Sequence, residues 1–184
     1  MKALIIYATV EGQTRKIAET SARYLEENGW SVSLMNVSQQ FEFALERPDA
    51  VLLMAPVHAN DYTSDFIEFV RRESSWLNSV PSAFVSVSLS IHSQFEDERT
   101  AVVELPETLS IYTGWRPSMV HHAAGALRFG EYDFFKRLMV RYMATREVKT
   151  ADKSQNHEFT DWDALKAFVQ DFANSVSGKS VAAG

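Results

Sequence analysis

The amino-acid sequence predicts an α/β domain built on a doubly wound parallel sheet. Three observations predict it. Segments 4–8 and 50–55 are near-continuous apolar runs, as expected of strands covered on both faces, and 83–89 reads as a further strand with small hydroxyl residues towards its end. Between them apolar residues recur at helical spacing. Strand and helix alternate five times, and each connection is long enough for a right-handed crossover.

The first strand, 4–8, opens through a Thr/Gly loop into a helix over 13–28. That helix carries Ile17, Ala18, Ser21 and Leu25 on one stripe, and Gly29 is placed to end it. Segment 30–37 alternates as a second strand, 41–45 reads as a short helix or turn, and 50–55 is the third strand. A loop over 56–62 leads to a helix from about 64 to 74 with Phe66, Phe69 and Val70 inward. The fourth strand spans 83–89. A polar loop follows over 90–98, then a helix over 99–112 with Pro106 expected near an end or at a kink. Segment 117–124 is the fifth strand. Thr160-Asp-Trp-Asp163 resembles a capping box opening a last helix through Leu165, Phe168, Val169 and Phe172, and the tail from Ser175 is expected to fray. The reading is one domain over 1–175, an insertion at about 126–158, and a loose tail over 176–184.

Bulk properties narrow the function. A chain of 184 residues suits one domain with a substantial core. A net charge of -6 argues against a general nucleic-acid binder. The absence of cysteine removes disulfides, thiolate catalysis and cysteine-ligated metal, and agrees with a reducing compartment. Met1-Lys2 leads directly into a strand, so no signal peptide is expected, and no apolar run is long enough to span a bilayer.

Doubly wound sheets bind ligands at the carboxyl ends of their strands, so the loops after the first, third and fourth strands should converge. The first holds Thr9, Val10, Glu11, Gly12, Gln13 and Thr14. A helix start offers unpartnered N–H groups and a favourable dipole to an anion. The loop lacks the Gly-x-Gly-x-x-Gly of dinucleotide sites and the lysine of triphosphate loops, so it suits a terminal phosphate monoester. The alternative is an ordinary turn capped by hydroxyls. In Gly178-Lys-Ser180, Ala173 stands where a triphosphate loop needs its first glycine.

Pro56, Val57, His58, Ala59, Asn60 and Tyr62 are placed to flank a flat heterocycle, with Tyr62 stacking on it or else stapling the next helix. Ser86, Val87, Ser88, Leu89 and Ser90 offer hydroxyl and backbone groups to a polar ring edge, or form a plain strand end. His121 and His122 point to opposite faces of a strand and are assigned to packing; no metal site is expected.

In the insertion, Phe135, Leu138, Met139, Tyr142 and Met143 fall on one helical side, with Lys136 and Arg141 away from it. Residues 128–153 hold seven basic and four acidic side chains, net +3, leaving about -9 for the remainder. Such a helix lies on an anionic membrane, meets a partner, or packs on its own domain.

Several stretches together resemble the flavodoxin-like proteins, and among them the menaquinone-dependent protoporphyrinogen IX dehydrogenases. They are the 9–14 loop, Leu77-Asn-Ser-Val-Pro-Ser-Ala-Phe84, Trp115-Arg-Pro117, Ala124-Gly-Ala-Leu-Arg128 and Phe159-Thr-Asp-Trp162. They run in the family's order along nearly the whole chain. The resemblance implies a five-stranded sheet in the order 2-1-3-4-5 and FMN as cofactor, its phosphate on the 9–14 loop and its isoalloxazine between 55–62 and 86–90. It implies that the flavin carries the chemistry, without a catalytic side chain, from protoporphyrinogen or another reduced substrate to a membrane quinone. It also implies a cytoplasmic protein, touching the inner membrane peripherally through the insertion. Self-association is compatible with the sequence. Where that family tends to carry Arg-Tyr-Gly after the third strand, this chain has His58-Ala-Asn60. Two further readings stay open: an electron-transfer flavodoxin without its own substrate, and a flavodoxin-fold partner module without flavin.

Overall fold

A computed structural model describes residues 1–39, 48–93, 95–127 and 157–182. The expected short element at 41–45 and the apolar stripe from Phe135 to Met143 lie outside the described residues.

The main sheet is built from β1 (Lys2–Tyr7), β2 (Ser31–Asn36), β3 (Ala50–His58), β5 (Ser82–Val87) and β6 (Met119–Ala123), all parallel. Their spatial order is β2-β1-β3-β5-β6, so the five parallel strands take the expected order 2-1-3-4-5. Helices α1 (Gln13–Glu27) and α4 (Trp162–Ala182) cover one face; α2 (Ser64–Ser79) and α3 (Glu96–Thr113) cover the other.

The apolar runs follow from this layering. Alternate residues of a strand face opposite sides, and here both sides are dry. Ile5, Leu52, Met54 and Val85 pack under α1 and α4, while Ile6, Val51, Leu53 and Phe84 pack under α2 and α3.

The stretches that carry the family resemblance meet as a structural staple. The Trp115 indole N–H donates to Ser82 Oγ at 3.0 Å, and Ser82 Oγ donates to the Leu77 carbonyl at 3.1 Å. Asn78 donates to the Gly114 carbonyl and accepts from the Arg116 N–H, both at 2.9 Å. Two distant turns are thereby locked against each other, with the Trp115 ring edge-on to Phe84 at 5.6 Å between centroids.

The structure corrects several expectations. Residues 56–62 form a hairpin rather than a loop: β3 continues to His58 and pairs antiparallel with β4 (Asp61–Tyr62). Ala59 and Asn60 between them have φ of 51° and 65°, the left-handed pair that a two-residue hairpin turn requires. The segment after the fourth strand is a short 3-10 turn (Leu89–His92), and α3 begins at Glu96. Pro106 sits inside α3 with its ring buried, so burial offsets the missing N–H. The N-cap of α4 is Asp161, whose Oδ1 accepts from the Ala164 N–H at 2.9 Å. The Thr160 hydroxyl instead donates to the Ala124 carbonyl at 2.8 Å. Finally, α4 runs on to Ala182, because Val176 extends the buried stripe of Leu165, Phe168, Val169 and Phe172.

His121 stacks on Phe168 at 5.1 Å with planes 25° apart. Burial, reinforced by neighbouring His122, holds its pKa below the ordinary value, and burial does the same for His122. Protons therefore bind the unfolded chain more readily. Stability is fully present above about pH 6.5 and falls as the pH drops below it. The urea midpoint should decline as the pH falls below about 6.5, and His121→Phe, which keeps the stack, should shrink that decline.

Candidate functional site

The turn from β1 into α1 is shaped by two residues. Thr9 Oγ1 accepts from the Gly12 N–H at 3.0 Å, and Gly12 takes φ 87°, a conformation open to glycine without strain. The first intrahelical bond runs from the Lys16 N–H to the Gly12 carbonyl at 3.1 Å. The N–H groups of Gln13, Thr14 and Arg15 precede it and have no acceptor within the helix. Gly12 supplies no side-chain cap, and the first turn of α1 carries no acidic residue, whereas α2, α3 and α4 each carry one or more. An α1 start left uncapped and without acid suits an anionic ligand.

This helix start opens onto a cleft at the carboxyl ends of β1, β3 and β5. Val10, Glu11, Gln13 and Thr14 line it from the first loop, Pro56, Val57, His58, Ala59 and Asn60 from the β3–β4 hairpin, and Val87, Ser88, Leu89 and Ser90 from the end of β5. Three loops far apart in sequence thus converge as expected. The Ser90 N–H donates to Ser88 Oγ at 3.1 Å and the Ser88 N–H to the Ala123 carbonyl at 2.9 Å, which fixes the third wall. Beyond Met54, β3 has no β1 partner and continues paired with β5 and then with β4.

Four expected residues stand elsewhere. Thr9 and Gly12 do not line the cleft but shape its first loop. Tyr62 and Ser86 belong to the core: the Tyr62 hydroxyl donates to Ser86 Oγ at 2.9 Å, and its ring packs edge-on to Phe84 at 5.3 Å. Burial pushes the Tyr62 phenol well above its ordinary pKa. Tyr62 therefore braces the hairpin from inside the core. Gly125 and Ala126, just after β6, also line the cleft. Nothing in their side chains signals a site; their place after the fifth strand, and their membership of the 124–128 stretch that carries the family resemblance, could have pointed to them. Among the described residues no cluster of three metal-ligating side chains occurs.

Ala126 belongs to β7 (Ala126–Leu127), which pairs antiparallel with β8 (His157–Glu158). Leu127 and His157, the described residues on either side of segment 128–156, are thus paired next to Ala126 of the cleft. Among the described residues no helix is long and apolar enough to cross a membrane.

Comparison with known proteins agrees with this geometry. A flavodoxin domain family model matches residues 4–155. The chain is 33% identical over 180 residues to protoporphyrinogen IX dehydrogenase [quinone] of Escherichia coli K12, covering 95% of this chain and 96% of that protein. It is 30% identical over 173 residues to the Leishmania major protein of the same name, covering 94% and 74%. Among solved structures, oxidised flavodoxin 1 of Bacillus cereus superposes with a TM-score of 0.58 over 95% of this chain and 98% of its own, at 15% identity. By sequence along most of its length, and by a sheet order that its structure shares, the chain belongs to the flavodoxin domain family of flavin-binding proteins.

Proposed function

We propose that the chain is an FMN-dependent oxidoreductase that oxidises protoporphyrinogen IX and delivers the hydrogen equivalents to a membrane quinone. One observation carries the reading. An uncapped helix start opens onto a cleft in a chain that aligns nearly end to end with proteins bearing that activity in their names.

FMN, when bound, supplies the redox chemistry; the chain binds, orients and shields it. The N–H groups of Gln13, Thr14 and Arg15 hold the phosphate. Thr14, only 2% exposed, lines the cleft at the same helix start. Pro56, Val57, Val87 and Leu89 give the ring apolar walls and exclude water. His58 and Asn60 at the hairpin, and Ser88 and Ser90 opposite, offer the polar groups that set its orientation. Segment 128–156 is the part of the chain that engages porphyrinogen, quinone and membrane.

The test is anaerobic mixing of the FMN-loaded protein with protoporphyrinogen IX. Bleaching of the flavin band, reversed by a menaquinone analogue, supports the reading. The acidic first turn of α3, Glu96, Asp97 and Glu98, favours a second reading as an electron carrier that docks through a negative face. A protein left oxidised by the porphyrinogen but reduced by a flavodoxin reductase selects that carrier. A protein that takes up no flavin selects a partner module.

Phe135→Asp and Met139→Asp should each reduce flotation with vesicles of anionic lipid and leave the flavin spectrum unchanged. Unchanged flotation counts against the role of the insertion.

A further inference from the structure

The β7–β8 stem has only two residue pairs, too few to be stable alone. It is held to the body by α1. Gln13 Nε2 donates to Glu158 Oε1 at 2.7 Å and to Thr160 Oγ1 at 2.9 Å, and Lys16 Nζ pairs with Glu158 Oε2 at 2.6 Å. Gln13 and Lys16 stand three positions apart on one side of the helix, so a single carboxylate reaches both. The same Gln13 lines the cleft and contributes one of the first N–H groups of α1. Lys16 also lies over the Trp162 ring, 5.3 Å from its centroid.

We propose that Glu158 is a positioning residue that couples cofactor binding at the start of α1 to the ordering of the stem on which segment 128–156 returns. This rests on the FMN reading given above. Holding the phosphate fixes the first turn of α1, and with it the two donors that grip Glu158. By linkage, a stem held at Glu158 favours the cofactor by the same factor. Burial works against the charge of Glu158, but the bonds from Lys16 and Gln13 and the Lys16 charge outweigh it, so the carboxyl titrates below the usual range. An opposing effect is that removing Glu158 leaves Lys16 unpaired beside an anion. That effect is the smaller one, because Lys16 is half exposed and screened, whereas Gln13 is 9% exposed and donates to a charged acceptor.

The experiment compares wild-type, Glu158→Ala and Glu158→Gln apoproteins. FMN affinity is read by fluorescence quenching, and hydrogen exchange across residues 157–160 is followed with and without FMN. The Phe159 N–H, which donates to the Gly125 carbonyl at 3.2 Å, reports the stem directly. In the wild type FMN should slow exchange at Phe159. Glu158→Ala should weaken FMN binding about fivefold or more and remove that slowing. Glu158→Gln keeps an acceptor for Gln13 and should fall between the two. A wild type that binds FMN, with Glu158→Ala binding it equally or more tightly and protecting Phe159 as well, overturns the coupling alone. A wild type that takes up no FMN overturns the cofactor reading and the coupling with it.

Discussion

Gly12→Val leaves the protein folded and costs about 100-fold or more in FMN affinity. Gly12 sits at φ 87°, where a β-branched residue is an outlier. Left-handed backbone costs an ordinary residue about 1–2 kcal/mol, which alone is worth roughly tenfold. The larger share comes from geometry. To relieve the strain the turn must move, and the N–H groups of Gln13 and Thr14 move with it. Each hydrogen bond to a charged group lost in this way is worth about 1.5–3 kcal/mol. The turn lies at the surface end of the sheet, so the core is untouched and Tm should fall only slightly. Asparagine tolerates the left-handed region, so Gly12→Asn should lose much less affinity. Titrating each apoprotein with FMN measures both. A valine variant that binds like the wild type removes the helix start from the cofactor site.

Trp115→Ala should lower stability by about 3–5 kcal/mol, which for a domain of this size is a fall in Tm of roughly 10 °C or more. The ring is fully buried, so its removal leaves a cavity beside Phe84. It also strips Ser82 Oγ of a donor in a dry environment. Trp115→Phe retains most of the volume but not the N–H, and should cost a smaller part. Thermal unfolding followed by circular dichroism separates the two. FMN affinity of the folded fraction should be unchanged, because Trp115 lies under α2 and α3, away from the cleft.

These two variants mark what the amino-acid sequence makes legible. Strands buried on both faces announce themselves as apolar runs, and the α1 start is visible because a Thr/Gly loop ends one such run just before helical spacing begins. Convergence of three loops then follows from the topology alone. The β3–β4 hairpin is hidden because its turn is Ala59-Asn60, without the Asn-Gly pair that signals such turns. Missing the hairpin leaves Tyr62 free to be read toward the ligand, whereas pairing with Val57 turns it into the core. Thr160 has the right type to cap α4, but Asp161 does so, and the Thr160 hydroxyl joins segments that only the fold brings together. The end of α4 is masked by serine, glycine and lysine, although Val176 still follows the buried spacing.

FMN binding as proposed requires the start of α1 to hold a phosphate. The measurement is the affinity of the apoprotein for FMN against riboflavin, which shares the ring and lacks the phosphate. Charge-assisted bonds from the first N–H groups of the helix predict that FMN binds about 100-fold more tightly or better. Equal affinity for the two flavins would contradict the assignment of the Gly12 turn as the cradle.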